Sequence, residues 1–177
     1  MAIVRKKTVQ VPAAGAVARM TGPELVSRLK SAGLMRLPLN VRGVAEYLGL
    51  EVVEEPMDDD MSGFLEIRSG RWVVGVNAFH HINRKRFTIA HEIAHFLLHS
   101  DGQVEFRDRT FARRTNDPSR MEREADQFAA ELLMPADDVK QKIAAGETSL
   151  SALAAQFGVS ALAMKYRVQN LGYLVNQ

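Results

Sequence analysis

A chain of 177 residues, 46% hydrophobic and 25% charged, has apolar material for one compact domain with at most a small appendage, and excludes a disordered or fibrous protein. With no cysteine it can hold no disulfide, thiolate metal site or cysteine nucleophile, which is compatible with a reducing cytosol. Its 23 basic and 21 acidic residues, net +2, give little reason to expect a polyanionic partner, and no apolar run approaches the roughly 20 residues of a membrane helix, so a cytoplasmic protein without a membrane partner is expected.

Residues 1–20, MAIVRKKTVQVPAAGAVARM, lack the continuous apolar stretch of about 7–15 residues that marks a secretory signal, and they read as a flexible basic arm. Thr21-Gly22-Pro23-Glu24 predicts a helix start, with Thr21 as cap, Pro23 in the first turn and Glu24 closing a capping box. That helix runs to about Ala32 and stops at Gly33. Asn40 caps a second helix, Val41 to Leu48, ended by Gly49. Leu50–Glu55 reads as a strand, broken by Pro56 and Asp58-Asp59-Asp60. Gly63–Arg68 and Arg71–Asn77 are two more, joined at Ser69-Gly70, a good hairpin turn. The fold class expected is therefore α+β with a small antiparallel sheet.

The strongest helix spans Asn83 to about His99, with Ile89, Ile93, Phe96 and Leu97 at helical spacing and Ser100-Asp101-Gly102 as its end. Gln103–Ser119 is polar and arginine-rich and reads as an irregular loop, with Arg113 and Arg114 solvated. Another helix runs from about Arg120 to Met134 and stops at Pro135. The division expected is a main domain over 21–135 and a helical appendage over 136–177.

The central helix carries His91-Glu92-Ile93-Ala94-His95. Histidines at i and i+4 lie one turn apart on one face, so both imidazoles can reach one ion at about 2.0–2.1 Å. Glu92 is turned about 100° from His91 and flanks the ion, where a base must sit to take a proton from water held there. The same carboxyl group can return that proton to a leaving amine. The chemistry indicated is zinc-dependent peptide hydrolysis, with Mn2+ or Fe2+ compatible with the same nitrogen and oxygen donors.

A catalytic zinc takes a third protein ligand, and three residues compete for the place. His99 is a further i+4 step, about 12 Å along the axis from His91, too far for an unbroken helix to bring all three histidines to one ion; it reads instead as a histidine facing the negative end of the helix. Asp101 has a spacing used by some zinc peptidases, but these need a glycine where Leu98 stands. Glu122 lies on the later helix one turn from Asp126, so that Glu122 could bind the ion while Asp126 accepts a hydrogen bond from a ligand histidine. The apolar Phe128, Ala129, Leu132 and Leu133 bury that helix, which favours Glu122 over the exposed-face alternative; Glu124 points elsewhere.

The runs HHINRKRFTIAHEIAHFLLH (80–99) and EREADQFAAELLMP (122–135), with MSGFLEI and WVVGVN upstream, resemble the ImmA/IrrE family of bacterial metallopeptidases over about residues 37–135. The resemblance implies a zincin-like fold of the thermolysin type, His91, His95 and Glu122 as ligands, and Glu92 as the catalytic residue. It implies as substrate a helix-turn-helix transcriptional repressor, or an antitoxin-like partner, encoded nearby. Residues 136–177 leave no room for the long sensor domain of radiation-response members, so sensing of that kind is not expected.

Leu150–Ser160 resembles the first half of a helix-turn-helix, with Gly158 in the turn and Ser160 capping a helix from Ala161 to about Asn170. That helix offers Lys165, Arg167, Gln169 and Asn170 to a DNA groove, but four basic residues against three acidic ones in 136–177 make a thin electrostatic footprint. A pair that braces the main domain or grips the substrate fits better. His80 and His81 precede the central helix, where one could polarise a substrate carbonyl or both could belong to the surface. Asn77 and the strand Arg71–Asn77 could line the cleft, and an extended substrate could add to a sheet edge there, with the identity of the edge strand left open by the sequence. Two other kinds of function stay open: a DNA-binding regulator with a vestigial metal site, and a non-catalytic binding module or toxin.

Overall fold

The computed structural model describes residues 19–100, 105–109 and 120–175. These form α1 (Gly22–Ser31), α2 (Val41–Tyr47), β1 (Glu51–Glu55), β2 (Met61–Arg68), β3 (Arg71–Asn77), α3 (Ile82–His99), β4 (Glu105–Arg109), α4 (Arg120–Leu133), α5 (Ala136–Ala144), α6 (Leu150–Phe157) and α7 (Ala161–Asn170). Most of the expected basic arm, and with it Asp101, Arg113 and Arg114, lies outside the described residues.

Local signals act where the sequence places them. Thr21 and Glu24 make the reciprocal capping box of α1, with Thr21 N–H donating to Glu24 Oε2 at 2.7 Å. Asn40 Oδ1 accepts from Gly43 N–H at 3.1 Å to start α2. Gly158 ends α6 in the left-handed region at φ 65°, which costs a glycine least, and Ser160 caps α7 by accepting from Ala163 N–H at 3.1 Å.

The sheet departs from expectation in two ways. Its order is β1-β3-β2-β4, and β1 runs parallel to β3, so the sheet is mixed and not antiparallel throughout. The β2–β3 hairpin is antiparallel as its turn predicts, but the edge it offers β1 is the far side of β3. The stretch read as an irregular loop also contains a strand: Glu105–Arg109 pairs antiparallel with β2. With charged residues and one aromatic, β4 has too few apolar side chains to show alternation, a composition typical of edge strands. The strand Arg71–Asn77 is flanked on both sides, and β1 and β4 are the outer strands.

One face of the sheet packs on α3. Leu65, Val74 and Val76 join Ile89, Ile93 and Leu97 in a core that continues through Phe128, Leu132 and Leu133 of α4 and Leu25 and Leu29 of α1. On the opposite face, Phe64 covers Gly75, its partner across the hairpin, and a Cβ at Gly75 would overlap the ring. The Arg68 guanidinium lies 4.7 Å from the centroid of that ring. Residues of α5, α6 and α7, among them Val139, Phe157 and Met164, belong to the same core as the sheet.

Candidate metal centre

Every residue of α3 from Thr88 to Leu97 is buried. A helix in that position is expected to be apolar all round, yet His91, Glu92 and His95 are polar and at most 2% exposed. Buried polar groups need partners, and α4, packing along α3, brings Glu122 and Asp126 to the two histidines. The Nε2 atoms of His91 and His95 stand 3.0 Å apart. Glu122 places Oε2 at 3.2 Å from the first and Oε1 at 3.4 Å from the second. Three donors bound tetrahedrally at 2.0–2.1 Å would stand about 3.4 Å from one another, so the group has the spacing that a divalent ion requires.

The protonation states suit a metal. Burial holds His95 below its ordinary value of 6.5, so its ring favours the neutral form that can ligate. Hydrogen bonds with His91, then His95, hold the Glu122 carboxyl well below the usual carboxylate range, and it stays ionised.

The outer sides of both rings are also fixed. His91 Nδ1 lies 2.9 Å from Asp126 Oδ1, the contact anticipated from the i+4 spacing of Glu122 and Asp126. His95 Nδ1 lies 3.0 Å from His99 Nδ1, and His99 Nε2 is 3.1 Å from Glu124 Oε2. His99 is therefore not simply a histidine at the helix end, as its position in the sequence suggests: it touches His95 on its own helix and Glu124 on the next. Glu124 faces His99 and not the Glu122 group. Phe106 of β4 stacks on the His95 ring, centroids 4.7 Å apart and planes 20° from parallel, a contact that sequence reasoning missed along with the strand.

Glu92 sits under β2. A Cβ added to Gly63 would lie 3.5 Å from Glu92 Oε1 and collide with Thr88 Cγ2 and the Gly75 carbonyl, so glycine at 63 lets the strand approach α3 beside this carboxylate. Asn77 is 1% exposed. Its amide donates to the Met61 and Asp58 carbonyls at 2.9 and 3.1 Å, and its Oδ1 accepts from Phe79 N–H at 3.1 Å. It ties the end of β3 to the loop before β2. His81 caps α3, Nδ1 accepting from Asn83 N–H at 3.2 Å. Ten residues before His91, it lies about 15 Å away along the axis. His80, partly buried, precedes it and donates its backbone N–H to the Asn77 carbonyl at 3.2 Å. The geometry thus brings His91, His95 and Glu122 together and leaves His81 apart from them.

The sequence model of one protein family, the IrrE N-terminal-like domain (Peptidase_M78), matches residues 45–169. The match runs from α2 to within α7, taking in the sheet, the three converging side chains and the C-terminal helices. No curated protein matches the chain. A match over more than half of the sequence decides the assignment: the chain belongs to the ImmA/IrrE family of metallopeptidases.

Proposed function

We propose that the protein is a cytoplasmic, zinc-dependent, site-specific endopeptidase with a thermolysin-type zincin fold. Its substrate on this view is a helix-turn-helix transcriptional repressor, or an antitoxin-like partner, encoded nearby, and cleavage relieves repression. The observation that carries the assignment is the convergence of His91, His95 and Glu122 at ligand spacing, with Glu92 one residue from the first histidine on a buried helix. Two nitrogens and one carboxylate oxygen suit zinc and leave a position open for chemistry.

Zinc, when bound, polarises the scissile carbonyl and makes water acidic near neutral pH. The residues of the chain do the rest. His91, His95 and Glu122 hold the ion, and Asp126 orients the first ring through Nδ1. Glu92 takes the proton from the attacking water and delivers it to the leaving amine. Its burial under Gly63 limits competing solvent. As an outer strand whose Phe106 rests on His95, β4 is the edge beside the site, where an extended peptide would add a strand.

The helix-turn-helix-like pair α6–α7 serves on this view as a brace. Arg86 Nε donates to the Gly158 carbonyl at 2.8 Å and Asn83 Nδ2 to the Val159 carbonyl at 3.0 Å, fastening the turn to α3. Arg167, one of the side chains offered to DNA, instead donates to the Met134 carbonyl at 2.9 Å.

The test uses the full chain and the neighbouring repressor. Wild-type protein should bind one zinc and cut the repressor at one site. Glu92→Gln should keep the zinc and lose about 10²-fold or more of the cleavage rate, the usual worth of a general acid–base. Equal cleavage by both proteins removes Glu92 from the mechanism, whereas no cleavage by the wild type would favour a DNA-binding regulator or a non-catalytic toxin.

A further inference from the structure

The two ring ligands are supported differently. His91 meets a carboxylate directly, through Asp126 at 2.9 Å, whereas His95 meets a second imidazole. The direction of that second chain follows from donor chemistry. A carboxylate only accepts, so the proton between His99 and Glu124 sits on His99 Nε2. The Nδ1 of a neutral His99 then carries a lone pair and must accept. The proton between the rings therefore belongs to His95 Nδ1. That leaves the lone pair of His95 on Nε2, the atom that faces His91 and Glu122. At its far end Glu124 also accepts from Arg120, Nε to Oε1 at 2.7 Å. It is also sheltered at its centre, where the His99 side chain is only 7% exposed.

We propose that His99 is a positioning residue for the metal. It holds His95 in the tautomer and ring orientation that present Nε2 to the ion, and Glu124 is the terminal carboxylate that makes His99 an acceptor. This deepens the metallopeptidase assignment and rests on it. The i+4 series His91, His95, His99 thereby gains a purpose other than three-fold ligation: the first two rings bind and the third orients the second.

The experiment compares zinc affinity, measured by competition with a chromophoric chelator at neutral pH, and the visible absorption of the cobalt-substituted protein. The proteins are wild type, His99→Phe, His99→Gln and Glu124→Ala, all as full chains checked for folding by circular dichroism. His99→Phe keeps a ring but removes the acceptor, and should weaken zinc about 10- to 100-fold, the range for lost partners of ligand histidines, with a changed cobalt spectrum. His99→Gln can accept from His95 and donate to Glu124, and should restore both readouts most of the way. Glu124→Ala should fall between. Wild-type affinity and spectrum in His99→Phe would overturn the proposal, and so would equal impairment of the phenylalanine and glutamine variants, which would indicate a steric role. If His99→Phe does not fold, Glu124→Ala decides, and an unchanged zinc affinity there overturns the chain. Failure of the wild type to bind zinc or cobalt would instead strike the metallopeptidase assignment itself.

Discussion

Burial of His95 has a consequence for stability. Its pKa is depressed below 6.5 by desolvation, so between 6.5 and the lower folded value the unfolded chain binds a proton there that the folded chain does not. Stability must then rise with pH across that window and be lost as pH falls through it. Glu122 acts in the same direction further down: its hydrogen bonds with His91 and His95 hold its pKa below 4.5, and that contribution is present above 4.5 and lost beneath it. The zinc-free protein should accordingly show a urea midpoint that is level above about pH 7, declines below 6.5 and declines again below 4.5. Urea titrations after chelation measure this, and a midpoint indifferent to pH between 6.5 and 4.5 would refute the state assigned to His95. The two histidines and Glu92 were legible because i, i+4 spacing is a property of one helix. Glu122 and Asp126 needed only the further step that an amphipathic helix turns its carboxylates inward. The role of His99 was not legible, since it depends on which residue of another helix arrives beside it.

Packing of elements on one another leaves a clear mark at Gly63. Cross-strand neighbours put Gly63 on the same side of β2 as Leu65, toward α3, and the strand comes close enough there that any side chain meets Thr88 and the Gly75 carbonyl, 2.5 Å from a Cβ. The Gly75 carbonyl is backbone of β3 and cannot rotate away, and Thr88 belongs to α3, so relief requires β2 to shift against both its neighbouring strand and the helix. Gly63→Ala should destabilise the protein by about 1–3 kcal/mol, the usual cost of overpacking. It should also weaken catalysis more than zinc binding, because the displaced strand lies over Glu92 and not over the Glu122 group. Denaturant midpoints together with zinc content and cleavage rate test both parts; a stable, fully active alanine variant would show that the approach is looser than described. Caps, turns and strand propensity announced α1, α2, α3, α4 and the β2–β3 hairpin to within a residue or two. Pairing was another matter. Nothing local tells Glu51–Glu55 to run parallel to β3, and Glu105–Arg109, with charged residues around Phe106, becomes a strand only because β2 offers it an edge.

Across the molecule, one core joins what the sequence invites one to divide at Pro135. The helices after it have apolar faces that read equally well as a separate helix-turn-helix, and only the tertiary arrangement shows where those faces go. Phe157 is fully buried, and Leu153, Met164 and Val168 lie in the same cluster as the sheet and α3. Asn83 and Arg86 reach across to the carbonyls of the α6–α7 turn, and Arg167 reaches back to Met134. Trp72 on β3, the one tryptophan of the chain, gives a probe of how far this coupling extends, since its ring meets Phe96 of α3 edge-on at 5.7 Å and lies in the other half of the sequence from Phe157. Phe157→Ala should cost about 3–5 kcal/mol, a large share of the roughly 5–15 kcal/mol that holds a domain together. If the chain unfolds as one unit, that loss is felt everywhere. Thermal unfolding followed by Trp72 fluorescence and by far-ultraviolet circular dichroism should give coincident midpoints in the wild type, and both should drop together in the variant. A Trp72 transition that stays in place while the helical signal melts early would make α6 and α7 an independent appendage, and their proposed role as a brace for the metal site would fail with it.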